Sequence, residues 1–379
     1  MASKWLTPTR LNALPLLLAG PILRRVEETS ITIWLALREA ATVTLEVYDN
    51  DGPGRTTLMS GQRASIAVGT ALHIVAVTAR AGTRLAAGSV YFYDLAFSFR
   101  NSGPRKLPEA AGAGAHSFAY PPFTLPSFAL PPINIQDVRI LNGSCRKPHG
   151  EGTDALPLLD DLIRDTAPSP VLRPHQLLLT GDQIYADDVA HGLLLMLTDI
   201  GDMRLGWQEE LPTPNLLRTM LPPTVHAADW GLQQRSLLIQ KAHFTTDDPR
   251  CHLMSLGEYF AMYLMVWSDV PWPLNTKLPV ATDFTEWNNW SIDKRHDFNK
   301  RFDQETVMLE NFRLNLGLPD DRRSLRRALA NVPTAMICDD HEVTDDWNMT
   351  RRFCQDVYGD PLGVRVVQNA LTAYSLCQA

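Results

Sequence analysis

The sequence predicts an α/β domain, a βαβ sheet with helices, preceded by a small all-β sandwich. Three observations carry this reading. Apolar residues alternate or cluster in short segments between residues 12 and 100, with a strong turn signal at Asn50-Asp-Gly-Pro-Gly54. Further on, three apolar runs (Val138–Leu141, Leu177–Leu179 and Pro333–Cys338) suit strands buried in a parallel sheet. Between the first two lies a helical period, and strand, helix, strand is the pattern of a parallel βαβ unit.

In chain order, the N-terminal strands are Thr32–Arg38, Val43–Tyr48, Ala71–Thr78 and Val90–Phe97. Strands at this spacing suit a small sandwich, and His73, inside an apolar strand, reads as a core or face residue. Residues 101–132 hold Gly103-Pro104, Pro108 and five further prolines from Pro121 to Pro132, which predicts a stiff, extended linker with His116 exposed on it. The expected division is therefore 1–100, 101–132 and 133–379. In the last part, Thr153–Thr166 reads as a helix capped by Thr153 or Asp154, with Leu156, Leu159 and Leu162 on its buried stripe. Leu193–Ile200, Gly257–Trp267, Arg295–Leu316 and Leu362–Leu376 are the other helices. Trp267, Trp272, Trp287 and Trp290 read as packing, or as an aromatic wall over a pocket.

Composition sets outer bounds. A chain of 379 residues exceeds the usual size of one domain, and 45% hydrophobic with 20% charged residues describes an ordinary globular protein. The net charge of −7 argues against a nucleic-acid or acidic-membrane partner, and no clear nucleic-acid-binding surface is visible. Five scattered cysteines do not form a disulfide framework. The apolar run Leu14–Leu18, broken by Pro15, is too short for a signal peptide, and no stretch is long enough for a membrane span. A cytoplasmic location is expected.

The three strand ends bring chemistry together. After the first run comes Asn142-Gly-Ser-Cys145. After the second comes Gly181-Asp-Gln-Ile-Tyr-Ala-Asp-Asp188, and after the third Asp339-Asp-His-Glu-Val-Thr-Asp-Asp-Trp-Asn348. In a parallel sheet these ends share one edge, where open α/β sheets bind their ligands. Carboxylates and a tyrosine favour hard ions, whereas a thiolate suits iron or zinc. Two metals sharing a carboxylate can clamp the oxygens of a displacement at phosphorus, and a nearby histidine can give a proton to the leaving oxygen.

These three motifs resemble those of the PhoD-like alkaline phosphatases, a branch of the calcineurin-like metallophosphoesterases. The N-terminal β region is likewise similar to the small immunoglobulin-like sandwich that precedes the catalytic domain in many members. The resemblance implies a metallophosphatase-like domain hydrolysing phosphate monoesters or diesters by metal-activated hydroxide. It implies that Cys145, Asp182 and Tyr185 bind iron, that Asp182 bridges to a second metal, often calcium, and that Asp340 is a further ligand. It gives His341 contact with the phosphoryl group, so His341 and Asp182 are the catalytic candidates. Asp339, Asp187 and Asp188 are weaker candidates for supporting roles, and His149 reads as a surface-loop residue. Family members supply further ligands from a C-terminal Gly-Asp-x-His-like motif, and no histidine follows His341 here. The expectation is a C-terminally truncated domain, an incomplete sandwich. The alternative reading is a non-catalytic binding protein with an incomplete metal site. A phosphatase with an Asp nucleophile is weaker, because the first strand ends in Gly-Ser-Cys145 instead of a paired Asp-x-Asp.

Overall fold

Alternation along Thr42–Tyr48 and Val90–Ser98 turns Val43, Leu45 and Val47 to the same interior as Tyr93, Leu95 and Phe97. The structure, a computed structural model, describes residues 8–378 except 83, 114, 116, 228–230, 274–276 and 318–322. His116 lies outside the described residues. Nine antiparallel strands make one hydrogen-bonded sheet: β1 (Leu17–Glu27), β2 (Ser30–Leu37), β3 (Thr42–Tyr48), β4 (Thr57–Ala64), β5 (Ile66–Gly69), β6 (Leu72–Arg80), β7 (Val90–Ser98), β8 (Arg105–Lys106) and β9 (Ser127–Ala129). The order is β1-β2-β6-β4-β3-β7-β8, with β5 on β6 and β9 on β7. β4 joins β6 through the single pair Ser60–Arg80, and the strands on either side share one core that includes Ile33, Leu35, Val77, Leu45 and Phe97. Gly61 permits this approach, since a Cβ there would meet the Thr78 carbonyl oxygen at 1.9 Å.

One expectation changes here. The alternation in Thr32–Arg38 suits a strand with one covered face, but both faces of β2 are covered. Ile31, Ile33 and Leu35 face the sheet's own core, while Trp34 and Ala36 join Ile22, Leu72 and Ile74 in a second, larger core shared with the helices. Trp34 Nε1 donates to the Leu376 carbonyl at 2.7 Å, Tyr93 Oη to the Ala330 carbonyl at 2.7 Å, and Arg24 to the Gln378 carbonyl. The proline-rich stretch also differs from an extended linker. It contains β8, β9 and the short helix α2 (Leu107–Ala111), and it buries Phe118, Tyr120, Phe128 and Leu130.

The second core covers one face of a three-stranded parallel sheet of β10 (Ile140–Gly143), β11 (Gln176–Leu179) and β14 (Thr334–Met336), in the order β10-β11-β14. Its strands were expected to be buried, but Ile140, Asn142 and Ala335 leave the other face exposed, because no element packs on it among the described residues. A two-stranded ribbon, β12 (Glu210–Pro212) with β13 (Thr224–His226), lies between β11 and β14 in sequence. The helices, after α1 (Pro8–Asn12), are α3 (Leu158–Thr166), α4 (His191–Leu205), α5 (Leu232–Lys241), α6 (Leu256–Trp267), α7 (Ile292–Leu316), α8 (Leu325–Asn331), α9 (Arg351–Tyr358) and α10 (Pro361–Cys377). Every residue of α6 from Gly257 to Trp267 is buried, and Trp267 and Trp272 are core residues. Helix α3 starts later than its expected Thr153. Asp154, the expected cap, instead accepts from the Arg146 guanidinium at 2.8 and 3.0 Å, and Pro157 sits immediately before the helix. Helix α3 is tied to α8 by a buried network. Asp160 accepts from Arg327 at 2.7 and 2.9 Å, from Arg164 at 2.6 Å and from the Tyr120 hydroxyl at 2.6 Å. No helix of the described residues is long and apolar enough to cross a membrane.

Candidate metal centre

Beyond their last paired residues the three parallel strands run into turns that are stitched together. Thr180 N donates to the Gly143 carbonyl at 2.9 Å, Arg146 N to the Asp182 carbonyl at 2.7 Å, and Ala186 N to the His341 carbonyl at 2.8 Å. Gly181 has φ +107°, and a Cβ there would lie 2.3 Å from Asp339 Cβ, so the second and third turns fit together only around a glycine. Cys145 and Asp182 adopt left-handed backbone at φ 55° and 53°. Such conformations in non-glycine residues cost energy and cluster at functional sites.

This backbone brings the predicted residues to one place. Cys145 Sγ lies 3.2 Å from Asp182 Oδ2. Ligand atoms of Asp182, Asp340 and His341 all fall within 4.8 Å of one another, and Asp340 also belongs to a second such group with Asp345 and Asp346. The Tyr185 ring stacks on His341 with centroids 4.4 Å apart. Asp182 is 5% exposed, and its Oδ1 finds no hydrogen-bond partner among the described residues. Burial pushes the Asp182 carboxyl up, with Asp339 and Asp340 adding to the rise against the pull of Cys145 and His341. Burial likewise raises the Tyr185 phenol, helped by Asp182 and Cys145. A buried, unpaired carboxylate oxygen among a thiol, a phenol and two further carboxylates fits a multivalent cation, which would reverse both shifts.

The surrounding residues support this edge. His341 Nδ1 donates to Asp187 at 2.9 Å, and Asp187 is almost fully buried. Burial pulls the His341 imidazolium down, but the Asp187 hydrogen bond and the charges of Asp187, Asp182 and Asp340 bring it to about 9. His149 is buried, not a surface residue, and its Nε2 lies 3.3 Å from Asp188, which also pairs with Lys147. Despite its burial, the Asp188 carboxyl is held well below its usual range by His149 and Lys147. Sequence reasoning missed Glu342. Fully buried, it accepts from the backbone N–H of Asp182 at 3.1 Å, Gln183 at 2.9 Å and Asp339 at 2.9 Å, bracing two turns at once. The signal available was a glutamate set beside the apolar Val343. Asp339 itself is exposed.

Residues 282–375 match the family model described as PhoD-like phosphatase, and residues 14–96 match one described as a domain of unknown function, DUF7800. No curated protein matches the chain. Among solved structures, "Structure of PhoD" aligns at 12% identity with TM-score 0.44, covering 96% of this chain and 45% of that one. The chain thus spans less than half the length of that relative. The crystal structure of amylomaltase from Corynebacterium glutamicum aligns at 11% identity with TM-score 0.15, covering 76% of this chain and 29% of that one.

Proposed function

We propose that this PhoD-like chain is a phosphoesterase that hydrolyses phosphate monoesters or diesters at the edge formed by Cys145, Asp182, Tyr185, Asp340 and His341. The observation that carries the reading is the Asp182 carboxylate, buried with one oxygen unpaired, at the meeting point of Cys145, Asp340 and His341. Cys145, Asp182 and Tyr185 supply the sulfur and oxygen donors suited to iron, and the carboxylates of Asp182 and Asp340 suit calcium. When bound, such ions supply Lewis-acid stabilisation of charge on the phosphoryl oxygens and lower the pKa of a coordinated water.

The chain's own residues account for positioning and proton transfer. Asp187 holds His341 by Nδ1, which fixes the ring and leaves Nε2 to meet the substrate and donate to the leaving oxygen. Tyr185, stacked on the same ring, limits its rotation. A cleft of about 580 Å³ begins at Cys145 and Lys147 and continues past Leu141, Leu159, Met308 and Phe312. It offers room for the organic part of an ester. We also propose the division 1–100, 101–132 and 133–379, with an immunoglobulin-like N-terminal part on whose sheet the middle part is docked through β8 and β9. A cytoplasmic location is proposed as well, supported by five cysteines standing as free thiols.

The test is turnover of a chromogenic phosphomonoester and a diester with iron and calcium supplied, in the native chain and in Asp182→Asn. Turnover that falls at least about 100-fold in the variant supports the reading. Bound metal without turnover favours a non-catalytic binding protein. Neither metal nor turnover overturns the proposal.

A further inference from the structure

A second cluster of donors, sharing no residue with the Asp182 edge, lies where α4, α7 and the loop before α6 meet. His191, the first residue of α4, is fully buried. Its Nδ1 donates to Glu305 at 2.9 Å, and Glu305 also accepts its backbone N–H at 2.8 Å. With the hydrogen on Nδ1, Nε2 of a neutral ring carries a lone pair. That nitrogen is buried without a hydrogen-bond partner among the described residues, 4.0 Å from Asp248 Oδ2. Cys251, fully buried, completes the group, and ligand atoms of His191, Asp248 and Cys251 lie within 4.8 Å of one another. Phe298 and Phe284 stand edge-on to the imidazole.

Arg250 and Arg301 already pair with the Asp248 carboxylate, but neither satisfies the buried His191 lone pair, which stays costly unless a positive particle sits on it. A proton on Nε2 is one solution and a metal ion is the other. The thiol decides between them. A proton shared by His191 and Asp248 has no use for sulfur, whereas imidazole, carboxylate and thiolate together are a zinc donor set. Glu305 stands where metal-binding histidines usually place the carboxylate that fixes their tautomer.

We propose that His191, Asp248 and Cys251 form a buried structural site for a zinc-class divalent ion, independent of the phosphoesterase centre. Four-coordinate zinc brings its ligand atoms to within about 3.5 Å of one another, so binding contracts the group by about an ångström. It also replaces the contact of Arg301 with Asp248 Oδ2. Arg301 is 41% exposed and keeps its 2.8 Å contact with Glu305, while Arg250 continues to hold Asp248. Three protein ligands leave a fourth position for water.

The experiment is done in the full chain carrying Cys145→Ser, Cys338→Ser and Asp182→Asn, which disables the first centre and removes the thiols beside it. Supplied with Zn²⁺ alone and dialysed, this chain retains about one zinc by elemental analysis. Replacement with Co²⁺ gives a thiolate-to-cobalt absorption band. Adding Cys251→Ser removes the band and the zinc, and His191→Gln lowers zinc retention at least about tenfold. If those variants do not fold, the cobalt band in the parent variant decides alone. Absence of both zinc and band overturns the proposal, as does a slowly exchanging His191 Nε2–H signal by NMR in the zinc-supplied chain. Neither readout uses activity, so failure here leaves the phosphoesterase reading standing, and failure of that reading leaves this one standing.

Discussion

Asp187 accepts from His341 Nδ1 at 2.9 Å across 154 positions of sequence, joining the turn after β11 to the turn after β14. The pair has the form of a histidine oriented by a buried carboxylate, in which the acid fixes which nitrogen carries the proton. Asp187→Asn keeps the shape and removes the charge. We expect kcat to fall about 10–100-fold with KM and bound metal unchanged, measured by steady-state kinetics and elemental analysis. Unaltered kcat would show that the pair only packs.

Glu342 satisfies two buried N–H groups and one part-buried N–H group, on two turns. Glu342→Ala orphans them at about 1–3 kcal/mol each. Chemical denaturation should therefore show a marked loss of stability, together with weaker metal binding as the Asp182 turn loosens. Glu342→Gln keeps one acceptor oxygen and should fall between the two. Equal stability of native chain and alanine variant contradicts the brace.

Gly181→Ala places a methyl group against Asp339 at a backbone angle that side chains avoid. The strain is about 1–3 kcal/mol and must be relieved by parting the two turns. Metal affinity should fall more than global stability, a difference readable by titration calorimetry beside a urea melt.

The Asp160 network predicts a stability effect remote from the site. Asp160 is fully buried and pairs with Arg327, itself 2% exposed. Asp160→Ala removes the carboxylate paired with the buried Arg327 guanidinium and should destabilise by about 3–5 kcal/mol, as urea unfolding would show. A loss below about 1 kcal/mol would contradict the network's importance.

Asp202, on α4, gives a pH signature. Burial raises its carboxyl to about 6, partly offset by Gln208. The folded state therefore binds this proton more tightly than the unfolded chain. The resulting stability is fully present below the ordinary aspartate range, near 4, and is lost as pH rises through about 6. Asp202→Asn should flatten the stability profile between those limits and make the protein relatively more stable at pH 7, measured by melts across a pH series.

The sequence made the parallel sheet visible because its strands are apolar runs ending in reactive residues, and Asp182 and Tyr185 followed from their place at a strand end. Two antiparallel strands were harder to see. β1 carries Arg24 and Arg25 in its second half, and Arg24 earns its place through Gln378 and Met336, residues more than 300 positions away. β4 is exposed over most of its length and shows no alternation to read. Asp187 and Asp188 could be named as supporting candidates, but their partners were hidden for the same reason as those of β1. Nothing near Asp187 announces His341, and nothing near Glu342 announces the Asp182 amide, because each partnership exists only after the strands align.

Trp34 and Arg24 reach the end of α10, and Gln378 there donates from Nε2 to Glu342 at 3.0 Å. Anyone wishing to trim this protein to its chemistry therefore has nowhere to cut. Excising the first hundred residues would strip the apolar face that Trp34, Ala36 and Ile74 press against the helices. It would also unmoor the helix end that steadies Glu342. The N-terminal sheet thus works as scaffolding for the reactive edge, and the two have to be made, purified and engineered as one object.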